Sequence, residues 1–341
     1  VSPSLIDSAA SRLVQLSVRS LVQASTEGHV FLYTSMPSIH GLVSPSAGSF
    51  TGGDVFIVNG TGFVANQTRC VVQGIAGQLP MSSIYGEVLS STMMRCRIPQ
   101  SSLGVSKAEI MVSNNGHDYA RTAMFVHYHS KAMVFDVQPR AGPTLGGTTL
   151  VVSGADFLNS PALQCNFESV LGGKQFKQSV PATWISSSSV RCISPRRDDG
   201  PGDARLTMSN NAQHFARYYN TTFRYYRPVE VHSATEIQSP VGISAARTVR
   251  VLGNSFSDAV ALTCRYNNSV IVPATLLSDY TLSCPIPDAV AGKKKKPNKI
   301  GAVSSKQAET LTVAVSKNGY DFSPTYAIVQ SRAVSVIALA K

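Results

Sequence analysis

The sequence contains few charged residues, one tryptophan and no long apolar segment. Charged residues make up 14% of the chain and hydrophobic residues 43%. No apolar run approaches the roughly 18 residues that a membrane-spanning helix needs. The GxSxG, HExxH, GxGxxG and phosphate-binding loop motifs are also absent. We therefore expect no membrane span in this chain, no catalytic residues and no cofactor.

One phrase occurs three times along the chain. It reads VSPSAGSFTGGDVFIVNGTGF from Val43, VQPRAGPTLGGTTLVVSGADF from Val137 and IQSPVGISAARTVRVLGNSF from Ile237. A spacing of about one hundred residues indicates tandem domains, each large enough for its own core. Short Val, Ile, Thr and Phe runs bounded by Gly, Asn, Pro and Ser predict strands. The sequence thus predicts an all-β chain of tandem sandwiches.

Each repeat also contains two cysteines at matching places. The three pairs are Cys70 with Cys96, Cys165 with Cys192, and Cys264 with Cys284. No C-x-x-C spacing or histidine at ligand distance accompanies them, which argues against zinc. Intradomain disulfides are the favoured interpretation, and reduced buried cysteines are the alternative. Persistent disulfides would require an oxidising compartment.

The second repeat is the most informative one. In order it has a hydrophobic residue and proline, Gly-Pro, Gly-Gly-Thr, Gly-x-x-Phe, Cys-x-Phe, Trp-x-Ser and Cys-x-x-Pro. These residues are Val137, Pro139, Gly142, Pro143, Gly146, Gly147, Thr148, Gly154, Phe157, Cys165, Phe167, Trp184, Ser186, Cys192 and Pro195. The pattern resembles the IPT/TIG family of immunoglobulin-like domains, in the form found in plexins and fibrocystin-like proteins. The third repeat departs most, with Ser239 at the proline and Ala245-Ala246 near the glycine pair.

The resemblance implies a β-sandwich of seven to eight strands for each repeat. We expect tandem immunoglobulin-like β-sandwiches in an elongated array. Core packing beside the disulfide is the favoured interpretation of Trp184, and stacking on a ligand is the alternative. The predicted domains are 41–132, 133–234 and 235–330. Residues 1–40 would be the C-terminal part of an upstream unit, and 331–341 a tail or a linker to a further unit. We also expect the chain, which opens on Val1, to be a piece of a longer array.

Two sets of surface residues are candidate binding or modification sites. The lysine-rich insertion of the third repeat would be exposed, because a lysine run is not buried unpaired. It is a candidate for binding a polyanion such as an acidic glycan, and a solvated loop without a ligand is the alternative; its residues are Lys293, Lys294, Lys295, Lys296 and Lys299. The candidate glycosylation sites are Asn59, Asn66, Asn220 and Asn267.

Two weaker patterns could suggest a metal ion. His127 and His129 alternate along one predicted strand, and Asp198-Asp199 with Asp203 forms an acidic segment. We expect two outward polar histidines and a polar turn instead, because one short acidic pair cannot supply the six to eight oxygens that calcium takes. No metal is expected.

The favoured function is a non-enzymatic binding and spacer array of a cell-surface or secreted protein. It would mediate protein recognition, adhesion or filament assembly, with other copies of itself or a cell-surface protein as partners. The alternative is an intracellular cytoskeletal or ciliary scaffold, in which the lysine-rich insertion contacts an acidic surface. A DNA-binding role is disfavoured because no arginine-rich DNA-reading loop is present, so no nucleic acid partner is expected. An accessory role beside a polysaccharide enzyme would need a catalytic domain outside this chain.

Overall fold

The computed structural model describes residues 12–16, 29–33, 35–44, 47–74, 82–102, 104–121, 123–171, 174–215, 221–237, 247–257, 259–290 and 311–330. All regular secondary structure in these ranges is β-strand. Within the same ranges there is no helix whose length and apolar character would let it cross a membrane.

The strands form four groups along the chain. The first group is β1 (Arg12–Leu16) and β2 (His29–Tyr33), which pair antiparallel. The first repeat contains β3 (Ser38–Ser44), β4 (Ala47–Ser49), β5 (Val55–Thr61), β6 (Arg69–Gly74), β7 (Ser82–Tyr85), β8 (Glu87–Ser90), β9 (Met93–Arg97), β10 (Ser106–Ser113) and β11 (Phe125–His129).

The second repeat contains β12 (Met133–Gln138), β13 (Ala141–Pro143), β14 (Thr149–Ala155), β15 (Gln164–Leu171), β16 (Lys174–Pro181), β17 (Thr183–Ser186), β18 (Ser189–Ile193), β19 (Gly202–Ser209) and β20 (Thr222–Tyr226). The third contains β21 (Glu230–Ile237), β22 (Thr248–Asn254), β23 (Thr263–Tyr266), β24 (Val270–Pro273), β25 (Thr275–Ser278), β26 (Thr281–Pro285), β27 (Thr312–Ser316), β28 (Tyr326–Ala327) and β29 (Val329–Gln330).

The first repeat folds into two sheets that share one core. Their strand orders are β3-β5-β9-β8 and β4-β11-β10-β6-β7. Alternate residues of β5 are buried, as expected for a strand with one face on a core. The core combines both sheets and includes Phe56, Val58, Met94, Val72, Ile110, Val112 and Val126. The predicted sandwich is therefore present in this repeat.

The other two repeats have the same arrangement. The second has the orders β12-β14-β18-β17 and β13-β20-β19-β15-β16. The third has β25-β26-β22-β21-β29 and β24-β23-β27-β28, and its strand β29 pairs parallel with β21. The all-β, immunoglobulin-like prediction is confirmed.

The chain divides into two compact units. The first comprises Val1–Ala132, Leu158–Leu163 and Ser209–Ala216. The second comprises Met133–Phe157, Gln164–Met208 and Arg217–Lys341.

One disulfide joins the two sheets of each sandwich. The bonds are Cys70–Cys96, Cys165–Cys192 and Cys264–Cys284, with Cα–Cα distances of 5.9, 6.5 and 6.1 Å. Each bond closes a loop between non-adjacent strands, which in the chain-entropy model stabilises the fold by about 3–4 kcal/mol.

The repeated Gly-x-x-Phe element has a packing cause. In the first sandwich, a Cβ on Gly60 would overlap the carbonyl oxygen of Ser38 and the ring of Phe63. The same collisions would occur at the equivalent glycines; the other sets are Gly154 with Met133 and Phe157, and Gly253 with Glu230 and Phe256. Glycine thus lets the first strand and the phenylalanine ring approach one backbone position together.

The glycine pairs make the predicted bend before the second strand. The φ angles are 70° and 91° at Gly52 and Gly53, a left-handed conformation that favours glycine. Gly146 and Gly147 adopt the same bend, at 74° and 87°. The next residue, Asp54 or Thr148, is fully buried despite its polar side chain. Each bend therefore delivers one polar group into the protein.

The prediction that Trp184 packs in the core is wrong. Its side chain lies on β17, an outer strand of its sheet, and is 37% exposed. Its Nε1 donates a hydrogen bond to the carbonyl oxygen of Phe157 at 3.0 Å. The core beside the disulfide is filled instead by Phe167, Phe223 and Tyr225, whose rings meet edge to face. An indole needs a partner for its N–H, and the carbonyl oxygen of Phe157, just after β14, supplies one.

Candidate functional site

A turn built around one asparagine follows β10, β19 and β27. We call these the asparagine turns, at residues 113–118, 209–214 and 316–321. In each turn a serine hydroxyl donates to the asparagine Oδ1 at 3.0–3.1 Å. That oxygen also accepts two backbone N–H groups further along the turn. Such side-chain-to-backbone bonds preform the loop. The asparagines are Asn115, Asn211 and Asn318.

The turn at residues 209–214 contacts Asp54 within the first compact unit. Asn211 Nδ2 donates to Asp54 Oδ1 at 2.8 Å. His214 Nδ1 lies 3.0 Å from the same oxygen, a distance that makes an ion pair when the imidazole is protonated. The side chain of Gln213 adds two hydrogen bonds to the backbone of Val55, at 2.9 and 2.8 Å. The turn is thus held by three hydrogen bonds, and His214 Nδ1 lies at ion-pair distance without making a hydrogen bond.

The turn at residues 316–321 makes an equivalent contact within the second compact unit. Thr148 Oγ1 donates to Asp321 Oδ2 at 2.7 Å. Asn318 Nδ2 donates to the carbonyl oxygen of Ala141 at 2.8 Å and to Asp321 Oδ2 at 2.7 Å. Asn318 is 6% exposed, and Asn211 only 2%. We call Asp54 and Thr148, each directly after its glycine pair, the socket residues.

The turn at residues 113–118 has the same internal bonds but a different environment. Asn115 and Asp118 are exposed. Asn115 Nδ2 donates to Asp118 Oδ2 at 2.7 Å, as Asn318 does to Asp321. This turn therefore presents preformed polar groups to solvent.

Buried tyrosines occupy equivalent positions on β11 and β20. Tyr128 Oη donates to the carbonyl oxygen of Pro99, and Tyr225 Oη to that of Pro195. Burial, reinforced by the Asp54 carboxylate, raises the pKa of Tyr128 to about 12. Burial also raises the pKa of Tyr225 above its usual range. These phenols remain neutral donors at physiological pH.

A fully buried cation supports the second sandwich. Arg197 makes two hydrogen bonds to the carboxylate of Asp199, at 3.0 and 3.2 Å, and one to the carbonyl oxygen of Gly202. Its guanidinium also lies over the Phe176 and Tyr225 rings. The pairing neutralises a charge that would otherwise be costly to bury. The acidic segment that could have suggested calcium is therefore held by arginines, since Asp198 pairs with Arg196.

An open groove of about 520 Å³ lies in the second compact unit. Its lining includes Arg224, Arg227, Lys317 and Tyr226. Lys317 Nζ lies 4.9 Å from the centre of the Tyr226 ring. The groove is cationic on balance, although Asp203 pairs with Arg224 at 3.1 Å. Such a lining suits a small anionic group, and no local sequence pattern indicates it because its residues come from distant segments.

The two histidines that could have suggested a metal ion differ in exposure. His127 is exposed, as expected, but the prediction that His129 points outward is wrong. His129 is buried, with Nδ1 2.6 Å from the carbonyl oxygen of Ser130. Among the described residues no three His, Cys, Asp or Glu side chains are grouped closely enough to hold a metal ion.

The candidate modification and polyanion residues differ in accessibility. Asn66 and Asn267 are exposed in loops, with φ of 61° and 46°. Asn59 lies in β5 and its Oδ1 is buried. Asn220 and all five insertion lysines, from Lys293 to Lys299, lie outside the described residues.

Comparison with known proteins agrees with the repeated sandwich and its glycine elements. The IPT/TIG domain model matches residues 37–127 and 134–225, more than half of the chain. The chain belongs to the IPT/TIG family. Its third sandwich lies outside the two matched segments but has the same two-sheet arrangement and disulfide position.

Individual relatives are distant from this IPT/TIG chain. Human Fibrocystin-L is 27% identical over 185 residues, which are 54% of this chain and 4% of that protein. The chain thus spans a small fraction of that relative's length. The full extracellular region of plexin A4 aligns with a TM-score of 0.43 and 15% identity over 94% of this chain and 24% of that chain. Three fibronectin domains of chicken CNTN1 give a TM-score of 0.27 and 10% identity, over 86% of this chain and 97% of that chain.

Proposed function

We propose that this IPT/TIG chain is a non-enzymatic binding and spacer segment of a cell-surface or secreted protein. The observation that carries the proposal is the presence of one disulfide between the two sheets of every sandwich. Disulfides of this kind form and persist in oxidising compartments. Membership of a family of immunoglobulin-like domains supports protein recognition, including adhesion or filament assembly.

The second sandwich offers a surface suited to protein recognition. Val151 and Ile193 lie on the outward face of the sheet β12-β14-β18-β17, and their side chains are 39% and 57% exposed. Trp184 and Ile185 are exposed on its outer strand β17. Exposed apolar side chains on one sheet face, here Val151 and Ile193, favour protein–protein contact.

The polar residues support a binding role over a catalytic one. The acidic side chains of Asp136 and Asp198 pair with exposed arginines, and that of Asp199 pairs with the buried Arg197. The buried polar groups at two of the asparagine turns are used in hydrogen bonds within the same compact unit. We propose Asn66 and Asn267 as the more accessible glycosylation sites, because both are exposed loop residues.

Labelling of intact cells tests the proposed location. Cells that express the protein are treated with a membrane-impermeant biotin reagent, and a cytosolic protein serves as the control. We expect biotin on this chain without permeabilisation, or the labelled chain in the medium. Labelling only after permeabilisation, together with free thiols, would contradict the proposal and favour the intracellular scaffold.

A further inference from the structure

Two of the asparagine turns, at residues 209–214 and 316–321, contact a socket residue. The acidic side chain lies on opposite sides of these two contacts. In the first compact unit the socket residue is an acid, Asp54, and the sixth residue of the turn is His214. In the second, the socket residue is a hydroxyl, Thr148, and the sixth residue of the turn is Asp321. The acidic side chain thus belongs to the socket in the first unit and to the turn in the second. Each turn therefore complements the socket that it contacts.

The two sockets also differ in whether a neighbouring backbone N–H needs an acceptor. Asp54 Oδ2 accepts the backbone N–H of Ser49 at 2.5 Å. Ser49 pairs with His129 in the same way as Pro143 pairs with Tyr226, so Pro143 holds the equivalent position. Proline has no N–H to satisfy. A side chain that accepts this N–H is therefore needed at position 54, whereas position 148 has no such N–H to satisfy and the hydroxyl of Thr148 is sufficient.

Exchanging the partners would bring like charges together. An aspartate at the position of His214 would face Asp54, which is fully buried. Two carboxylates in a buried contact repel each other and cannot both remain ionised without cost. A turn with aspartate at the sixth position is therefore disfavoured at a socket that carries Asp54.

We propose that the asparagine turn is a specific docking device between IPT/TIG sandwiches, in which the socket residue and the sixth turn residue determine the partner. We propose further that the exposed turn at residues 113–118 docks on an IPT/TIG sandwich with threonine or serine at the socket position. Its Asp118 corresponds to Asp321, and its Asn115 is already oriented as Asn318 is. An acidic socket would exclude it.

The partner proposed for the exposed turn is argued from what the other two asparagine turns contact. Both equivalent turns contact the segment around a glycine pair of an IPT/TIG sandwich. The exposed turn shares their serine–asparagine bond and their backbone bonds. The inference concerns sandwich pairing and does not rest on the cellular location proposed above.

A graft in the full 341-residue chain tests the device. Ala212→Gly, Gln213→His and His214→Asp together give the second turn the sequence of the exposed first turn. The matched control carries Ala212→Gly and Gln213→His, so the loss of the Gln213 contacts is common to both and the two differ only at His214. The graft and its control are each made with the natural socket and with a converted socket. The converted socket carries Ser49→Pro and Asp54→Thr together.

The proposal predicts that the grafted turn is less stable than its control with one socket and more stable than its control with the other. With Asp54, the grafted turn should lower Tm by about 5–10 °C relative to its control and speed hydrogen exchange of residues 209–215 by about tenfold or more. With the converted socket, the grafted turn should be the more stable and better protected of the two. The same order in both sockets would overturn the proposal.

A second socket variant keeps the test decisive if the converted socket does not fold. If exchange in β5 and β9 shows that the converted socket unfolds the first sandwich, Asp54→Asn replaces it. This variant keeps an oxygen for the Ser49 N–H but removes the charge. The grafted turn should then lose at least half of its penalty, and an unchanged penalty would contradict the proposed role of the socket charge.

Discussion

Asn211 donates a hydrogen bond to Asp54, a residue 157 positions earlier in the chain. The Asp54 carboxylate is fully buried, so it depends on donors from the protein rather than from water. Ser49 N–H contacts one oxygen, and Asn211 and His214 contact the other. The asparagine turn therefore satisfies a charge that the glycine bend places in the interior.

Replacing Asn211 tests the strength of this contact. Asn211→Ala should lower the free energy of unfolding by about 1.5–3 kcal/mol, because a buried carboxylate loses a donor. Asn115→Ala is the matched control, since it breaks the same internal turn bonds where no socket is contacted. Urea unfolding of both variants gives the difference. Equal losses would show that the contact with Asp54 contributes nothing beyond turn formation.

The buried arginine gives a second prediction. Asp199→Ala should cost about 3–5 kcal/mol of unfolding free energy, because it leaves the guanidinium of Arg197 buried without its carboxylate. Asp198→Ala removes an acid of the exposed neighbouring pair and should leave the urea midpoint unchanged. Similar midpoints for the two variants would mean that the buried pair is not a major source of stability.

Alkaline pH should weaken the first sandwich. The pKa of Tyr128 is about 12 in the folded protein, above the usual value of 10. A raised folded-state pKa means that its contribution is complete below pH 10 and is lost as pH rises toward 12. Burial raises the pKa of Tyr225, Tyr226 and Tyr266 in the same direction.

Urea unfolding between about pH 8 and 11 measures this effect. Tyr128→Phe should flatten the alkaline decline while lowering stability at neutral pH, because it also loses the bond to Pro99. Tyr280→Phe, at an exposed side chain, is the control and should leave the slope as it is. A Tyr128→Phe slope identical to that of the parent would contradict the assignment.

The lysine-rich insertion gives a prediction about ligands. If it binds a polyanion, changing Lys293, Lys294, Lys295 and Lys296 to serine should shorten retention on heparin, with a steep dependence on salt. The control removes four charges elsewhere; its changes are Arg121, Lys177, Arg191 and Arg205 to serine. Equal retention of the two variants would show that net charge, rather than the insertion, controls binding.

The sequence was sufficient for the repeated elements of the fold. The bends at Gly52 and Gly146, the Gly-x-x-Phe corners and the cysteine pairing follow from local phrases that recur in register. The contact between Asn211 and Asp54 could not be predicted, because it depends on how distant turns meet. The available signal was an acid directly after a glycine pair and before a buried strand, where Thr148 stands in the next repeat.

Two side chains show why burial was harder to predict than strand position. His129 continues the alternation of β11 as a strand residue, yet it is buried in the first compact unit. Trp184 matches a position of the family pattern, but its strand is the last in its sheet and leaves one side of the indole open. In both cases tertiary packing, which the local sequence does not encode, determined the exposure.

Peptide mapping of the protein from its native source, without reduction, is the sharpest test of an extracellular binding array. Mass spectrometry would identify cross-linked and glycosylated peptides. We expect links between Cys70 and Cys96, between Cys165 and Cys192, and between Cys264 and Cys284, with sugar on Asn66 or Asn267. Six free thiols and unmodified asparagines would contradict an extracellular binding array.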